Sequence, residues 1–138
     1  MKNFSITKNG KEYWIARNVA VSCFVFTSID GVWHVLANKR GDGTPDYQGY
    51  WNAPCGYLDF DETTSEAAMR EVYEETGLHI QPQLRGILTF ILPKWENEIT
   101  FLYTSNNFEG ILKECNEGQL QWIEKNKKKL QKSCRKIC

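Results

Sequence analysis

Glu71, Glu74 and Glu75 are the residues of this chain whose type and spacing most directly suggest chemistry. On a helix advancing about 100° per residue, Glu74 falls about 60° to one side of Glu71 and Glu75 about 40° to the other, so three carboxylates share one arc. Like charges placed so oppose each other by about 0.2–0.5 kcal/mol per pair. Arg70 is the cation within the segment, four residues from both Glu66 and Glu74. A hard divalent cation would resolve the repulsion, because Mg²⁺ and Mn²⁺ favour carboxylate oxygens. The plainer alternative is a solvent-facing helix with hydrated glutamates, and three glutamates alone do not exclude it.

Such a strip needs a helix held against a core. Thr63-x-x-Glu66 forms a capping box, in which each side chain satisfies an orphan backbone donor of the first turn. Residues 64–76 are good helix formers and Gly77 stands where a left-handed terminator belongs, which predicts a helix between them. Ala68, Met69 and Val72 form the neighbouring apolar arc, so the acidic strip is expected beside the packed face. Upstream, Val19 to Thr27 is rich in β-branched and aromatic types and reads as a buried strand. Asp30-Gly31 is a turn signal, and Val32 to Arg40 reads as the second strand of a hairpin. Residues 41–46 read as a loop, and Trp51 to Leu58 as short extended pieces around Pro54 and Gly56. Downstream, Leu84–Leu92, Ile99–Ser105 and Gly118–Ile123 read as strands and residues 124–133 as a second helix. Strands mixed with two helices predict an α/β or α+β domain whose topology the pattern leaves open.

The residues around the glutamates narrow the reading. From Gly56 to Leu78 the chain runs Gly-Tyr-Leu-Asp-Phe-Asp-Glu-Thr-Thr-Ser-Glu-Ala-Ala-Met-Arg-Glu-Val-Tyr-Glu-Glu-Thr-Gly-Leu. This resembles the Nudix box: Gly, five residues, Glu, seven residues, then Arg-Glu-aliphatic-x-Glu-Glu-x-Gly-aliphatic. Gly56, Glu62, Arg70, Glu71, Val72, Glu74, Glu75, Gly77 and Leu78 meet every specified position. Trp51-Asn52-Ala53-Pro54-Cys55-Gly56 is similar to the Trp-x-x-Pro-Gly-Gly lead-in of the family, with Cys55 where a glycine is usual. The resemblance, to MutT-like Nudix hydrolases, covers most of residues 18–123. It implies an α/β/α sandwich with a mixed β-sheet flanked by helices, here a single domain over residues 1–138 with a basic tail at about 124–138.

The resemblance also implies roles. Glu71, Glu74 and Glu75 would hold one or more Mg²⁺ (or Mn²⁺) ions, with the Gly56 carbonyl completing the site. Arg70 would orient the glutamates, and Glu62 would stabilise the loop–helix unit. One carboxylate must accept the proton of the attacking water, and Glu71 is a candidate. Asn116-Glu117-Gly118-Gln119 resembles a segment that supplies a further acid, which selects Glu117 over Glu96, Glu98 and Glu114. Arg40 resembles a phosphate-facing basic residue, and strand alternation sends its neighbour Lys39 to the opposite face. Tyr47, Tyr50, Trp51, Phe90 and Trp95 are aromatic candidates for stacking on a base. His34 and His79 have no sequence neighbours that suggest catalysis.

The implied activity is Mg²⁺-dependent hydrolysis of a nucleoside diphosphate linked to another group. The favoured substrate is a nucleoside triphosphate or an oxidised one, giving a monophosphate and pyrophosphate. Pro93, 15 residues beyond Leu78, resembles a feature of ADP-ribose hydrolases and supports the alternative of ADP-ribose or a nucleotide sugar. A non-catalytic nucleotide-sensing module is expected to lack box glutamates, and this chain keeps them. An interaction protein that docks through opposite charges would explain the charge split but not the spacing of Gly56, Glu62, Arg70 and Gly77.

That split is marked: net charge is zero, yet residues 1–123 carry 10 basic and 16 acidic side chains and residues 124–138 carry 7 and 1. No aromatic residue interleaves the tail lysines, so nucleic acid is not expected as a partner. A small-molecule nucleotide is the expected partner, with a homodimer as the simplest assembly beyond a monomer. The apolar stretches are too short to span a bilayer and the first residues lack the apolar core of a secretory signal, so a cytoplasmic protein is expected. In that compartment Cys23, Cys55, Cys115, Cys134 and Cys138 are expected as free thiols, and a zinc site is not.

Overall fold

The computed structural model describes residues 2–44, 47–91, 93, 97–116 and 118–126. Its first element has no counterpart among the expectations above: an antiparallel hairpin of β1 (Phe4–Lys8) and β2 (Lys11–Ile15). Asn9 and Gly10 both take positive φ, 53° and 72°, the backbone that a two-residue turn matching strand twist demands. Among the described residues the hairpin pairs with no other strand; the Phe4 ring lies 6.3 Å from that of Phe60, and the Asn3 N–H donates to Asp59 Oδ1 at 3.0 Å.

β3 (Val19–Ile29) and β4 (Val32–Arg40) follow as the expected hairpin, closed by Asp30 and Gly31 at φ 51° and 76°. β5 (Trp51–Asn52) pairs with β4 and β6 (Cys55–Tyr57) with β3, so the segment before the helix runs along both central strands. The helix α1 (Thr64–Thr76) carries the capping box at Thr63 and Glu66 and ends at Gly77 with φ 79°. β7 (His79–Ile80), β8 (Gln83–Phe90), β9 (Glu98–Ser105), β10 (Phe108–Glu109) and β11 (Gly118–Glu124) complete the chain order. The main sheet runs β11-β4-β3-β9-β8, with β3 and β9 parallel and the other neighbours antiparallel. It is a mixed sheet with one helix among the described residues, an α+β arrangement. Of the second helix expected at 124–133, Glu124 instead ends β11 through its pairing with His34, and residues 127–133 lie outside the described residues.

One face of the sheet carries the main core. Val21, Cys23 and Val25 of β3, with Leu36 and Tyr103, meet Ala67, Ala68 and Val72 of α1, and Leu58, Leu78 and Ile80 close the edges. Each such fully buried aliphatic side chain contributes about 1.5–3 kcal/mol. On the other face Val35, Ala37 and Ile123 pack with Phe24, Phe26 and Trp51. The consequence for the site is simple. A capped, terminated helix is pressed onto β3 and β6, and whatever lies on its inner arc is held against the sheet.

Candidate active site

Glu71 lies within the buried arc of α1, not beside it. The buried helix residues are Ala67, Ala68, Val72 and Thr76, and on the wheel Glu71 sits between Ala67 and Ala68, about 40° from one and 60° from the other. Met69, expected on the packed face, is 39% exposed. The arc that meets the sheet runs from Ala67 to Thr76 with Glu71 towards its Ala67 edge, and Gly56 of β6 leaves room there for the carboxylate. A Cβ at position 56 would lie within 2.7 Å of three atoms of the Glu71 carboxylate group. Only 15% of the Glu71 side chain remains accessible. Burial pushes its carboxyl up to about 7, against the opposing pull of Arg70 and with a further rise from Glu74 and Glu62.

Arg70 is the counter-charge of this site. Its Nε and Nη2 donate to Glu62, at 3.0 Å to Oε2 and 2.6 Å to Oε1. Its Nη1 donates to Glu71 Oε1 at 2.7 Å and to Glu74 Oε2 at 3.2 Å, and Nη2 also reaches the Tyr57 carbonyl at 3.1 Å. A planar fork with five donors suits this task, and a lysine could not span it. Glu62 in turn accepts the Asp59 N–H at 2.8 Å, so the loop between β6 and α1 is clamped to the helix. Glu62 first, then Glu71, hold the Arg70 guanidinium above the ordinary arginine value. Arg17 Nη2 adds a tie from β2's end of the chain, donating to the Glu62 carbonyl at 3.0 Å.

Glu74 and Glu75 flank this arrangement differently. The Glu74 side chain is 50% exposed on the helix flank, its Oε2 paired with Arg70 Nη1. Glu75 Oε1 accepts the Cys55 N–H at 3.1 Å, which ties the last helical turn to the strand that carries Gly56. Among the described residues no three acidic, histidine or cysteine side chains converge as a ready cage; Glu71 and Glu74 face Arg70, and Glu75 faces Cys55. The donor chemistry nonetheless fits a hard divalent ion: three carboxylates on adjacent turns, one desolvated and pressed on a glycine backbone, one half-exposed at the surface.

The other sequence candidates are more scattered. Lys39 and Arg40 end β4, Lys39 opposite Gln119 and Trp51, and Arg40 opposite Gly118 with its backbone bonded to Gly49 and Tyr50. Lys39 is exposed and Arg40 half-buried. Glu117, Glu96 and Trp95 lie outside the described residues. Glu98 accepts the Tyr57 hydroxyl at 2.7 Å, a bond that, with burial, pushes the tyrosine up to about 12. Glu114 is exposed. Tyr47 and Tyr50 are exposed and meet edge to face at 6.1 Å. His79 stacks on Tyr73 at 4.5 Å, and His34 Nδ1 lies 2.9 Å from the Val32 carbonyl. Cys23 and Cys115 are free, as expected; Cys55 departs from the expectation and is disulfide-bonded.

Sequence reasoning passed over Tyr57, whose carbonyl accepts from Arg70, and Asp59, whose backbone N–H donates to Glu62. It also passed over Asn38, which is 1% exposed. A signal for Asn38 exists: it is an amide in a run, Val-Leu-Ala-Asn, that is otherwise apolar.

The NUDIX domain family matches residues 16–132, the stretch that contains the sheet, α1 and the Arg70 network. The chain belongs to the Nudix family. Among curated proteins it is similar to the Nudix hydrolase YvcI of Bacillus subtilis, 34% identical over 85 residues, covering 57% of this chain and 54% of that protein. It is also similar to the phosphatase NudJ of Escherichia coli, 41% identical over 66 residues, covering 48% of this chain and 39% of that protein. The aligned part thus spans about half of the first relative's length and less of the second's. A solved MutT protein from Bacillus halodurans shares the Nudix fold with a TM-score of 0.65 and 28% identity, over 78% of this chain and 69% of that one. The Nudix box identified by its spacing is therefore carried by the elements that family uses, a loop and helix set on a mixed sheet. No helix among the described residues is long and apolar enough to cross a membrane.

Proposed function

We propose that the protein hydrolyses a nucleoside diphosphate linked to another group, with a nucleoside triphosphate as the preferred form, releasing a nucleoside monophosphate and pyrophosphate. The observation that carries this reading is the buried Glu71 carboxylate, held between Gly56 and the Arg70 fork with Glu74 on the open flank. A desolvated carboxylate is costly unless a cation repays it, and Arg70 is shared among four acids, Asp59, Glu62, Glu71 and Glu74.

In this reading Glu71, Glu74 and Glu75, with the Gly56 carbonyl, hold Mg²⁺ or Mn²⁺. The bound ion supplies Lewis-acid neutralisation of the charge that develops on the diphosphate oxygens. The chain's own residues do the rest. Arg70 fixes the rotamers of Glu71 and Glu74, so that the carboxylates need little reorganisation on binding. Glu62 holds Arg70 and the loop together. A carboxylate, Glu71 or Glu117, takes the proton of the attacking water, and Arg40 places a cation for the outer phosphates, with Lys39 on the other face of β4. A nucleotide-sensing module without turnover has less support, because the box glutamates are complete and their positioning residues are in place.

The test is a panel of nucleoside triphosphates, oxidised purine triphosphates, ADP-ribose, dinucleoside polyphosphates and NADH, each with and without Mg²⁺. Release of a monophosphate from at least one, only with metal present, is the expected outcome. Hydrolysis of none of them, or equal hydrolysis after chelation, would overturn the reading.

A further inference from the structure

The face of the main sheet turned away from α1 carries a cleft of about 430 Å³, lined by Phe26, Trp33, Gln83, Arg85, Thr104 and Lys125 among others. Alternation along the strands settles its face. Trp33 is in step with Val35 and Ala37 of β4, and Phe26 packs with those two on the side opposite the core formed with Ala67, Ala68 and Val72. Lys125 is in step with Ile123 of the same cluster, and its N–H donates to the Trp33 carbonyl at 2.9 Å. The cleft also lies at the far end of the sheet from the cations assigned to the substrate. Lys39 is six residues beyond Trp33 on β4, about 20 Å along the strand at about 3.4 Å per residue.

The walls of the cleft have a definite chemistry. Residues 1–123 carry 16 acidic side chains against 10 basic, yet among the described residues two cations and no carboxylate line this cleft. Arg85 is set in place by neutral partners: Nε donates to Thr104 Oγ1 at 2.8 Å and Nη2 to Gln83 Oε1 at 2.7 Å. Those two bonds leave its charge unspent and three of the five N–H donors of a guanidinium for a ligand. A guanidinium already held loses little freedom on binding, and its fork suits phosphate oxygens. Lys125 adds a second positive charge. Together the two match a phosphate monoester, which carries about −1.5 to −2 at neutral pH, whereas a carboxylate would leave one of them unmatched. Trp33 leaves 47% of its surface open, and half-buried Phe26 adds a second ring to the lining. Such rings stack on nucleobases of any identity. The volume falls in the lower part of the range for small-molecule sites and suits one nucleotide better than two.

We propose that this cleft is a second ligand site that takes a nucleoside monophosphate, its phosphate on Arg85 and Lys125 and its base against Trp33 and Phe26. The site needs neither a metal ion nor Glu71, so it stands apart from the proposed hydrolysis.

The test is calorimetric titration of the full chain with AMP, ribose 5-phosphate and adenosine, in EDTA so that no divalent ion takes part. AMP is expected to bind one saturable site, and each fragment about 10-fold more weakly or worse. Arg85→Gln is expected to weaken AMP by about 10- to 100-fold. Trp33→Leu is expected to weaken it by about 10-fold and to leave ribose 5-phosphate as it was. Glu71→Gln is expected to bind AMP as the wild type does. Arg85 is exposed, so Tm is expected to hold. If Arg85→Gln lowers Tm, the exposed Lys125→Gln decides in its place: weaker AMP binding at an unchanged Tm supports the site, and unchanged binding overturns it. Absence of saturable AMP binding overturns the proposal, as does binding that survives both Arg85→Gln and Trp33→Leu or that is lost in Glu71→Gln. Ribose 5-phosphate bound as tightly as AMP reduces the cleft to a plain anion site, and adenosine bound as tightly removes the cations from it; either result overturns the nucleotide assignment. The substrate panel, which reads metal-dependent turnover, fails or succeeds independently of these titrations.

Discussion

Glu74→Gln is expected to lower turnover at least 10²-fold while leaving Tm within about 2 °C of the wild type. Both halves follow from where Glu74 sits. Its side chain is 50% exposed on the flank of α1, and its single bond to Arg70 is the longest of that fork's carboxylate hydrogen bonds through Nη1, 3.2 Å against 2.7 Å for Glu71. Exposed ion pairs of this kind contribute about 0–1 kcal/mol, so little stability is lost. Gln keeps the shape and removes the charge, which takes from the metal-binding strip the carboxylate best placed to reach a ligand from solvent. Losing one anionic ligand of a catalytic metal typically costs several kcal/mol of transition-state stabilisation, hence the orders of magnitude in rate. Steady-state kinetics at saturating Mg²⁺ measures it. Normal turnover in this variant would remove Glu74 from the chemistry.

Arg70→Met should do the opposite, damaging the fold first. Arg70 neutralises Glu62, Glu71 and Glu74 and caps the Tyr57 carbonyl, with 22% of its side chain accessible. Removing it leaves those carboxylates facing one another in a partly desolvated corner. Breaking a buried pair costs about 3–5 kcal/mol, and partial exposure reduces that here to roughly 2–4 kcal/mol. For a domain of this size the corresponding fall in Tm is on the order of 10 °C. Mg²⁺ should recover part of the loss, because it supplies the missing positive charge. Thermal unfolding with and without Mg²⁺ reads both effects; an unchanged Tm would mean that the fork is ornamental.

The elements nearest the chemistry were the easiest to read in the sequence. α1 announces both its ends, through the Thr63–Glu66 box and Gly77, and the observed helix runs from Thr64 to Thr76. β3 and β4 were legible because β-branched runs flank an Asp-Gly turn. The N-terminal hairpin was missed although Asn9-Gly10 is the same kind of signal, since its strands, exposed on nearly every residue, show no buried face to complete the pattern. The site was legible in its residue types but not in its depth. Periodicity placed the carboxylates beside an apolar arc of Ala68, Met69 and Val72. The sheet instead selected the arc through Ala67, Glu71 and Thr76, because Gly56 admits a carboxylate where any other residue would block it. A tertiary glycine, not the helix's own pattern, decided the burial of Glu71.

Burial of Glu71 makes a definite statement about pH. A carboxyl raised in the folded state to about 7 keeps its proton over a range where the unfolded chain, with its value near 4.5, has lost it. Stability from this group is therefore fullest below about pH 4.5 and declines as pH rises towards 7, by on the order of 3 kcal/mol. A divalent ion reverses the cost, since it requires the ionised form. Calorimetric titration of Mn²⁺ into the full chain at pH 6 and pH 8 is the most direct test of the metal-binding claim. The expected result is one saturable event, about 10-fold tighter at pH 8, releasing close to one proton at pH 6 and almost none at pH 8, and lost in Glu71→Gln. Absence of saturable binding even with a nucleotide present, or an affinity indifferent both to pH and to Glu71→Gln, would contradict the account.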